Sequence, residues 1–374
     1  MSKNSVVLSV MAALLSALVF LVGCSDDKTP IRLGLVGGLS GENVDLGQAG
    51  RNGALLAVDE INQSGGVNGH PVELVIRDDK NRRDGAIAAT KDLVGEGVVA
   101  IVGPFTTTMA EAVRTVSEPK HVLVFSPTAS SVRLAGLDDS FFRLCSSTTD
   151  QASHYAEFMV RQKGLRRISL VAAKDNLSFV KSWVDEYKRR IAAYGGELVA
   201  EVWYDFSAMS GFGDVVRDLL APKPDAVMFV ANAVSVARMA QQVRKSDKTT
   251  PIFASEWAGT QQVIELGGKA VNGLVVIHIF NKYGKEEPFL SFVKEYQTQF
   301  KSDPSFSSVI AYEVVKVLAK ALEKQTPEES LKQAILKNGP YQGLQQSFAI
   351  DAYGDTVRQA HFVVVNGTQF SPVY

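Results

Sequence analysis

Apolar and polar positions along this chain fall in blocks. From position 31 onward, apolar runs of four to seven residues are separated by stretches in which apolar residues recur at helical spacing. Runs of that kind predict strands buried on both faces, and the stretches between them predict amphipathic helices that cover the sheet. The first half reads as strands over 31–37, 72–77, 98–102, 122–125 and 141–144, with helices over 47–62, 84–96 and 109–117. In the first helix Ala54, Ala57, Val58 and Ile61 share one face, and Ser64-Gly65-Gly66 supplies the stop.

After Ser146-Ser147-Thr148-Thr149 the rhythm restarts. Strands over 167–172, 197–204, 226–231, 251–255 and 274–280 alternate with helices over 179–194, 212–220, 234–245 and 260–266. Three helices over 288–300, 307–323 and 327–337 follow, then strands near 346–350 and 361–365. The pattern predicts an α/β protein of two similar halves with parallel sheets. The helices over 288–337 could pack on either half.

Composition changes this picture at the N-terminus. Lys3 precedes an apolar run over 6–22, which ends in Leu21-Val22-Gly23-Cys24. That is a lipoprotein signal with its lipobox over 1–24, Cys24 being the lipidated residue; an uncleaved membrane anchor is the alternative. Residues 25–30 then form a polar tether, which places the protein outside the cytoplasm, in the periplasm or at the cell surface, anchored by lipid. The rest of the 374 residues is too long for one ordinary core and suits two domains.

A net charge of −1 and the lack of a basic stripe argue against nucleic acid. With Cys24 lipidated, Cys145 is left without a disulfide partner and is expected in the core. The five histidines are scattered without zinc-ligand spacing, and neither a phosphate-binding loop nor a GxSxG elbow occurs. Asp78-Asp79 reads as a strand end with turn carboxylates. No catalytic constellation, metal site or cofactor is expected.

The candidate chemistry lies in two turns. Gly103-Pro104-Phe105-Thr106-Thr107-Thr108 and Ser126-Pro127-Thr128-Ala129-Ser130-Ser131 each end an apolar strand and put hydroxyls where a helix should begin. Either turn by itself reads more simply as a helix cap; the pair on consecutive strands favours binding, in which free N–H groups, the helix dipole and the hydroxyls together hold a carboxylate. In open α/β sheets ligands bind beyond the carboxyl ends of strands, where strand order reverses. In the first half this selects the loops at Ser40-Gly41, 105–107 and 127–131. In the second it selects 174–178, Asn232 and Glu256-Trp257.

These residues resemble the type I periplasmic solute-binding proteins, and among them the leucine/isoleucine/valine-binding receptors. The resemblance rests on IRLGLVGGLSG at 31–41, Asp59-Glu60-Ile61-Asn62 with Gly65-Gly66-Val67-Asn68-Gly69, Asp78-Asp79, Ser126-Pro127-Thr128-Ala129 and Phe142-Arg143. Their order and spacing over about 31–367 carry it. It implies two Rossmann-like lobes joined by three crossovers, with hinges near 144–147, 277–280 and 348–350. The lobes would comprise 31–146 with 281–348, and 147–280 with 349–374.

The resemblance also implies ligand roles. Thr107 and Ser130 match the hydroxyls that hold the α-carboxylate and ammonium, and Glu256 matches the ammonium partner. Leu46, Leu177 and Asn232 stand where branched-chain receptors often have tyrosine, and Thr128 replaces a smaller residue. Asn81 and Thr106 occupy the positions of a disulfide found in some relatives. Phe105, Trp257 and Tyr283 suit an apolar or aromatic ligand side chain, while Asn232 allows a polar one. The expected function is capture of a small solute, most simply an amino acid, by a monomer that delivers it to an ABC permease. A ligand-sensing subunit and a receptor for another small carboxylate are the alternatives.

Overall fold

The computed structural model describes residues 28–41, 44–205 and 211–373. Cys24, the expected signal segment and the first half of the tether (25–27) lie outside the described residues.

Strands β1 (Ile31–Gly37), β2 (Val72–Asp78), β3 (Ala100–Val102), β4 (Leu123–Ser126) and β5 (Phe141–Arg143) form a parallel sheet of order β2-β1-β3-β4-β5. Helices α1 (Asp45–Gln63), α2 (Arg83–Gly95) and α3 (Thr107–Ser117) connect them. Leu33, Leu35, Val36, Ile101 and Phe125 are fully buried, because helices cover both faces.

The chain then crosses to a second sheet built to the same plan. Strands β6 (Arg167–Ala173), β7 (Glu197–Tyr204), β8 (Ala226–Val230), β9 (Ile252–Ala254) and β10 (Val275–His278) run in the order β7-β6-β8-β9-β10, all parallel. Helix α4 (Thr148–Ala156) enters this lobe, and α5 (Leu177–Ala193), α6 (Gly213–Leu220), α7 (Ala233–Ser246) and α8 (Gln261–Gly267) follow. The sequence reading had no helix at α4. Its start is a capping box, with the Ser147 hydroxyl accepting from Asp150 N–H and the Asp150 carboxylate reaching back.

Helices α9 (Glu287–Phe300), α10 (Phe306–Lys324) and α11 (Leu331–Lys337) return to the first lobe. Ser307 Oγ donates to Leu46 O at 2.6 Å, and Tyr312 OH donates to Glu60 Oε2 at 2.5 Å, so α10 is seated on α1. Two expectations are corrected at this end. The strand expected near 346–350 is only β12 (Ser347–Phe348), paired with β11 (Tyr341–Gln342) in a ribbon apart from the main sheets. The second sheet is also not wholly parallel: β13 (His361–Asn366) and β14 (Gln369–Pro372) extend it antiparallel beyond β10.

Three crossovers join the lobes, and polar side chains stitch them together. Ser146 Oγ on the first accepts from Arg358 N on the third at 2.9 Å. Gln346 donates to Ile279 O on the second at 3.1 Å and accepts from Gln359 N at 3.0 Å. Arg358 pairs with Glu313 of α10 at 2.7 Å, both side chains being almost wholly buried. Arg143 pairs with Asp355 at 2.6 Å. Such ties favour motion about one axis over free tumbling of the lobes.

Candidate functional site

Both sheets reverse strand order beside their first strand, β1 against β3 and β6 against β8. Loops at the carboxyl ends of those strands face each other across the cleft. Leu46, Phe105, Thr128, Ser130 and Phe306 of the first lobe and Asn176, Phe179, Glu256 and Trp257 of the second line one cavity. The space inside is only about 20 Å³, enough for a water molecule. A solute of amino-acid size must therefore enter when the lobes part, or displace the aromatic side chains.

The first-lobe wall is built on close backbone approach. Phe105 follows β3, and its ring rests on Gly37 and Gly50, where an added Cβ would come within 2.6 and 2.0 Å of it. Glycine at both positions is what lets this ring reach the cleft. The two hydroxyl turns are laced together. Ser126 Oγ donates to Pro104 O at 2.6 Å, and Thr128 Oγ1 donates to Phe105 O at 2.6 Å. The Thr128 hydroxyl thus holds the wall, while its side chain still lines the cavity.

Thr107 opens α3, and its Oγ1 is buried with no hydrogen-bond partner. Thr106 is the N-cap of α3, half-buried and making no side-chain cap, and does not line the cavity. Ser130 is buried, with its carbonyl accepting from Thr148 N at 2.7 Å.

Glu256 follows β9 in the second lobe. Its Oε2 is buried and unpartnered. Burial pushes its carboxyl up to about 7, only partly offset by its own backbone N–H and, less, by the Trp183 indole N–H. That indole faces the group without meeting hydrogen-bond geometry. Trp257 beside it packs edge-on against Phe179, ring centres 5.7 Å apart. Such a carboxylate is costly without a cation, and a ligand ammonium would supply one.

Five expected ligand contacts fall outside the cavity lining: Thr106 and Thr107, described above, and Leu177, Asn232 and Tyr283. Leu177 is 49% exposed and borders a neighbouring groove with Lys181 and Arg189, because the turn of α5 points the preceding Asn176 inward instead. Asn232 is buried but caps α7: Oδ1 accepts from Ser235 N at 2.9 Å and Nδ2 donates to Asp175 Oδ2 at 2.9 Å. Both ends of its amide are used. Tyr283 follows β10 and is exposed, its hydroxyl donating to Phe370 O. Conversely, Asn176, Phe179 and Phe306 line the cavity without having been singled out. Asn176 lies in the 174–178 loop that strand order selects, whereas nothing local marks Phe306, which arrives from the far end of the chain.

Several bonds cross the cleft mouth. Asn176 Oδ1 accepts from Thr108 N at 3.2 Å, and Thr108 Oγ1 accepts from Ser178 N at 3.4 Å. Neither α3 nor α5 has a side-chain cap of its own, so each helix caps the other across the cleft. Ser178 Oγ also donates to Glu111 Oε2 at 2.7 Å, and Thr260 Oγ1 donates to Asp45 Oδ2 at 3.0 Å.

Elsewhere Cys145 is free and buried, and burial pushes its thiol up to about 12, which suits a core residue and not a nucleophile. Among the described residues no group of three or more His, Cys, Asp or Glu could hold a metal ion, and no helix is long and apolar enough to cross a membrane.

Comparison with known proteins agrees with this geometry. The family model for periplasmic binding proteins matches residues 30–369. The Leu/Ile/Val-binding protein BraC3 of Rhizobium johnstonii is 27% identical over 252 residues, 66% of each chain. The leucine-, isoleucine-, valine-, threonine- and alanine-binding protein of Pseudomonas aeruginosa is 24% identical over 319 residues, 82% of each chain. The fold matches the leucine-binding protein LivK of Thermotoga maritima with a TM-score of 0.85 at 21% identity, covering 92% of this chain and 98% of that one. With two like-wound lobes, three crossovers and a cleft between the strand ends, the chain belongs to the periplasmic binding protein family, in the type I group that includes these Leu/Ile/Val-binding relatives.

Proposed function

We propose that this protein is an extracytoplasmic receptor, anchored through Cys24, that captures an amino acid by cleft closure and delivers it to an ABC permease. The observation that carries the reading is Glu256, whose buried Oε2 has no partner and faces a cavity whose opposite wall holds Ser130. An α-ammonium supplies the missing charge. The α-carboxylate then meets Ser130, the unpartnered Thr107 hydroxyl and the first-turn N–H groups of α3. Leu46, Phe105, Phe179, Trp257 and Phe306 leave an apolar space for the side chain. The relatives named for leucine, isoleucine and valine support the same class of ligand.

The test is calorimetric titration of wild type and Glu256→Gln with a panel of amino acids and their deaminated analogues. Glu256→Gln keeps the shape and loses the charge. It should weaken amino-acid binding by about 2–5 kcal/mol and change binding of the analogue much less. A variant that binds the amino acid as tightly as wild type sinks this assignment.

A further inference from the structure

We infer that Asn176 selects the ligand's side chain, and that the receptor takes a neutral amino acid whose side chain carries a hydrogen-bond acceptor. The inference rests on the amino-acid reading above, which assigns the ligand's carboxylate and ammonium to other groups. It starts from an anomaly. Asn176 is the N-cap of α5, a position where asparagine normally accepts from its own helix, yet its side chain makes no such bond. Its Oδ1 accepts instead from Thr108 N across the cleft.

That bond settles which way the amide points. A backbone N–H can only donate, so the oxygen must face Thr108 and the amide nitrogen must take the other side. Among the described residues the one side-chain hydrogen bond of Asn176 is that to Oδ1, and the half-buried Asn176 lines the cavity. The backbone reinforces this, since Asn176 sits at φ 45°, ψ 44°, a left-handed conformation that asparagine tolerates and most residues do not. Two N–H donors are thus presented to a space whose remaining second-lobe walls are Phe179, Trp257 and the Glu256 carboxyl.

Asn176 is half-buried with the cleft-crossing bonds formed, so it is a ligand side chain laid over the amide that would bury its donors. A purely apolar one would strand them, and leaving a donor buried without a partner is what makes such sites discriminate strongly. A hydroxyl, amide carbonyl or phenol oxygen would satisfy them. Because the orienting Thr108 bond spans the two lobes, the donors are aimed only when the lobes have met, so side-chain selection and closure are coupled.

The experiment uses the full mature chain and three matched pairs: threonine with valine, asparagine with leucine, and tyrosine with phenylalanine. Affinities are measured for wild type, Asn176→Gly and Asn176→Asp. Glycine accepts the left-handed backbone, and aspartate keeps the acceptor for Thr108 while removing the donors. The polar-to-apolar affinity ratio within a pair cancels any general loss from the broken cross-lobe bond. In wild type at least one pair should favour its polar member tenfold or more, and both variants should cut that ratio at least tenfold. Ratios at or below one in every pair, or ratios unchanged in both variants, overturn the inference and leave the amino-acid reading standing. Failure of all six amino acids to bind wild type overturns both.

Discussion

The bonds across the cleft mouth make closure testable without touching the ligand. Ser178 belongs to α5 in the second lobe and does not line the cavity, yet its hydroxyl donates to Glu111 Oε2 of α3 at 2.7 Å. Ser178→Ala removes that bond from the closed form alone, since in the open form water serves both groups. A hydrogen bond to a charged acceptor is worth about 1.5–3 kcal/mol. The Glu111 side chain keeps 29% of its surface in solvent and has Arg83 at 3.8 Å, so a figure near 1 kcal/mol is the better expectation. Because the ligand binds the closed form, its affinity should fall about fivefold, expressed as faster release with little change in capture rate. Small-angle scattering at fixed subsaturating ligand should show a larger mean radius of gyration. Glu111→Ala, which removes the acceptor, should produce a similar loss, and the double variant should lose little more than either change. Wild-type affinity in Ser178→Ala, or fully additive losses in the double variant, would refute the reasoning.

Thr107→Val should weaken amino-acid binding by about ten- to a hundredfold while leaving the melting temperature unchanged or slightly higher, because the lost hydroxyl has no partner within the protein. For Glu256 the folded pKa of about 7 stands above the unfolded 4.5. Its contribution to the stability of the unliganded protein is therefore full below 4.5 and lost as pH rises through about 7. An ammonium partner favours the carboxylate. Affinity should accordingly drop as pH falls from about 7 toward 5, with close to one proton released on binding near pH 6 in titrations across buffers of differing ionisation heat; a flat profile contradicts the pairing. Arg358→Met strands the buried Glu313 carboxylate and should cost about 3–5 kcal/mol by chemical denaturation, most of it recovered when Glu313→Gln is added.

Much of this protein is legible in one dimension. The alternation of buried apolar runs with helical periodicity is a local property, and it placed β1 at 31–37 and β7 at 197–204 with their observed bounds. The hydroxyl turns could likewise be read, because a strand end, a proline and the start of a helix occupy consecutive residues. Even two elements left out had local marks: the capping box at Ser147 for α4, and for β14 the Asn366-Gly367 pair that ends β13 and opens the two-residue turn Gly367-Thr368. What the sequence could not decide is where non-consecutive residues meet. Whether 288–337 belonged to one half or the other depended on α10 finding α1, through contacts between residues some 250 positions apart. Phe306 entered the cavity by that docking and not by any motif of its own. The exchange of Leu177 for Asn176 as a cavity residue has the same origin. At a helix start, one residue changes which side chain faces the cleft, and the choice was made by Thr108 of the other lobe supplying an N–H for Asn176. Local periodicity fixes elements because neighbours share a backbone; the ligand site is a product of two lobes, and its orientation is set only when their helix ends satisfy one another.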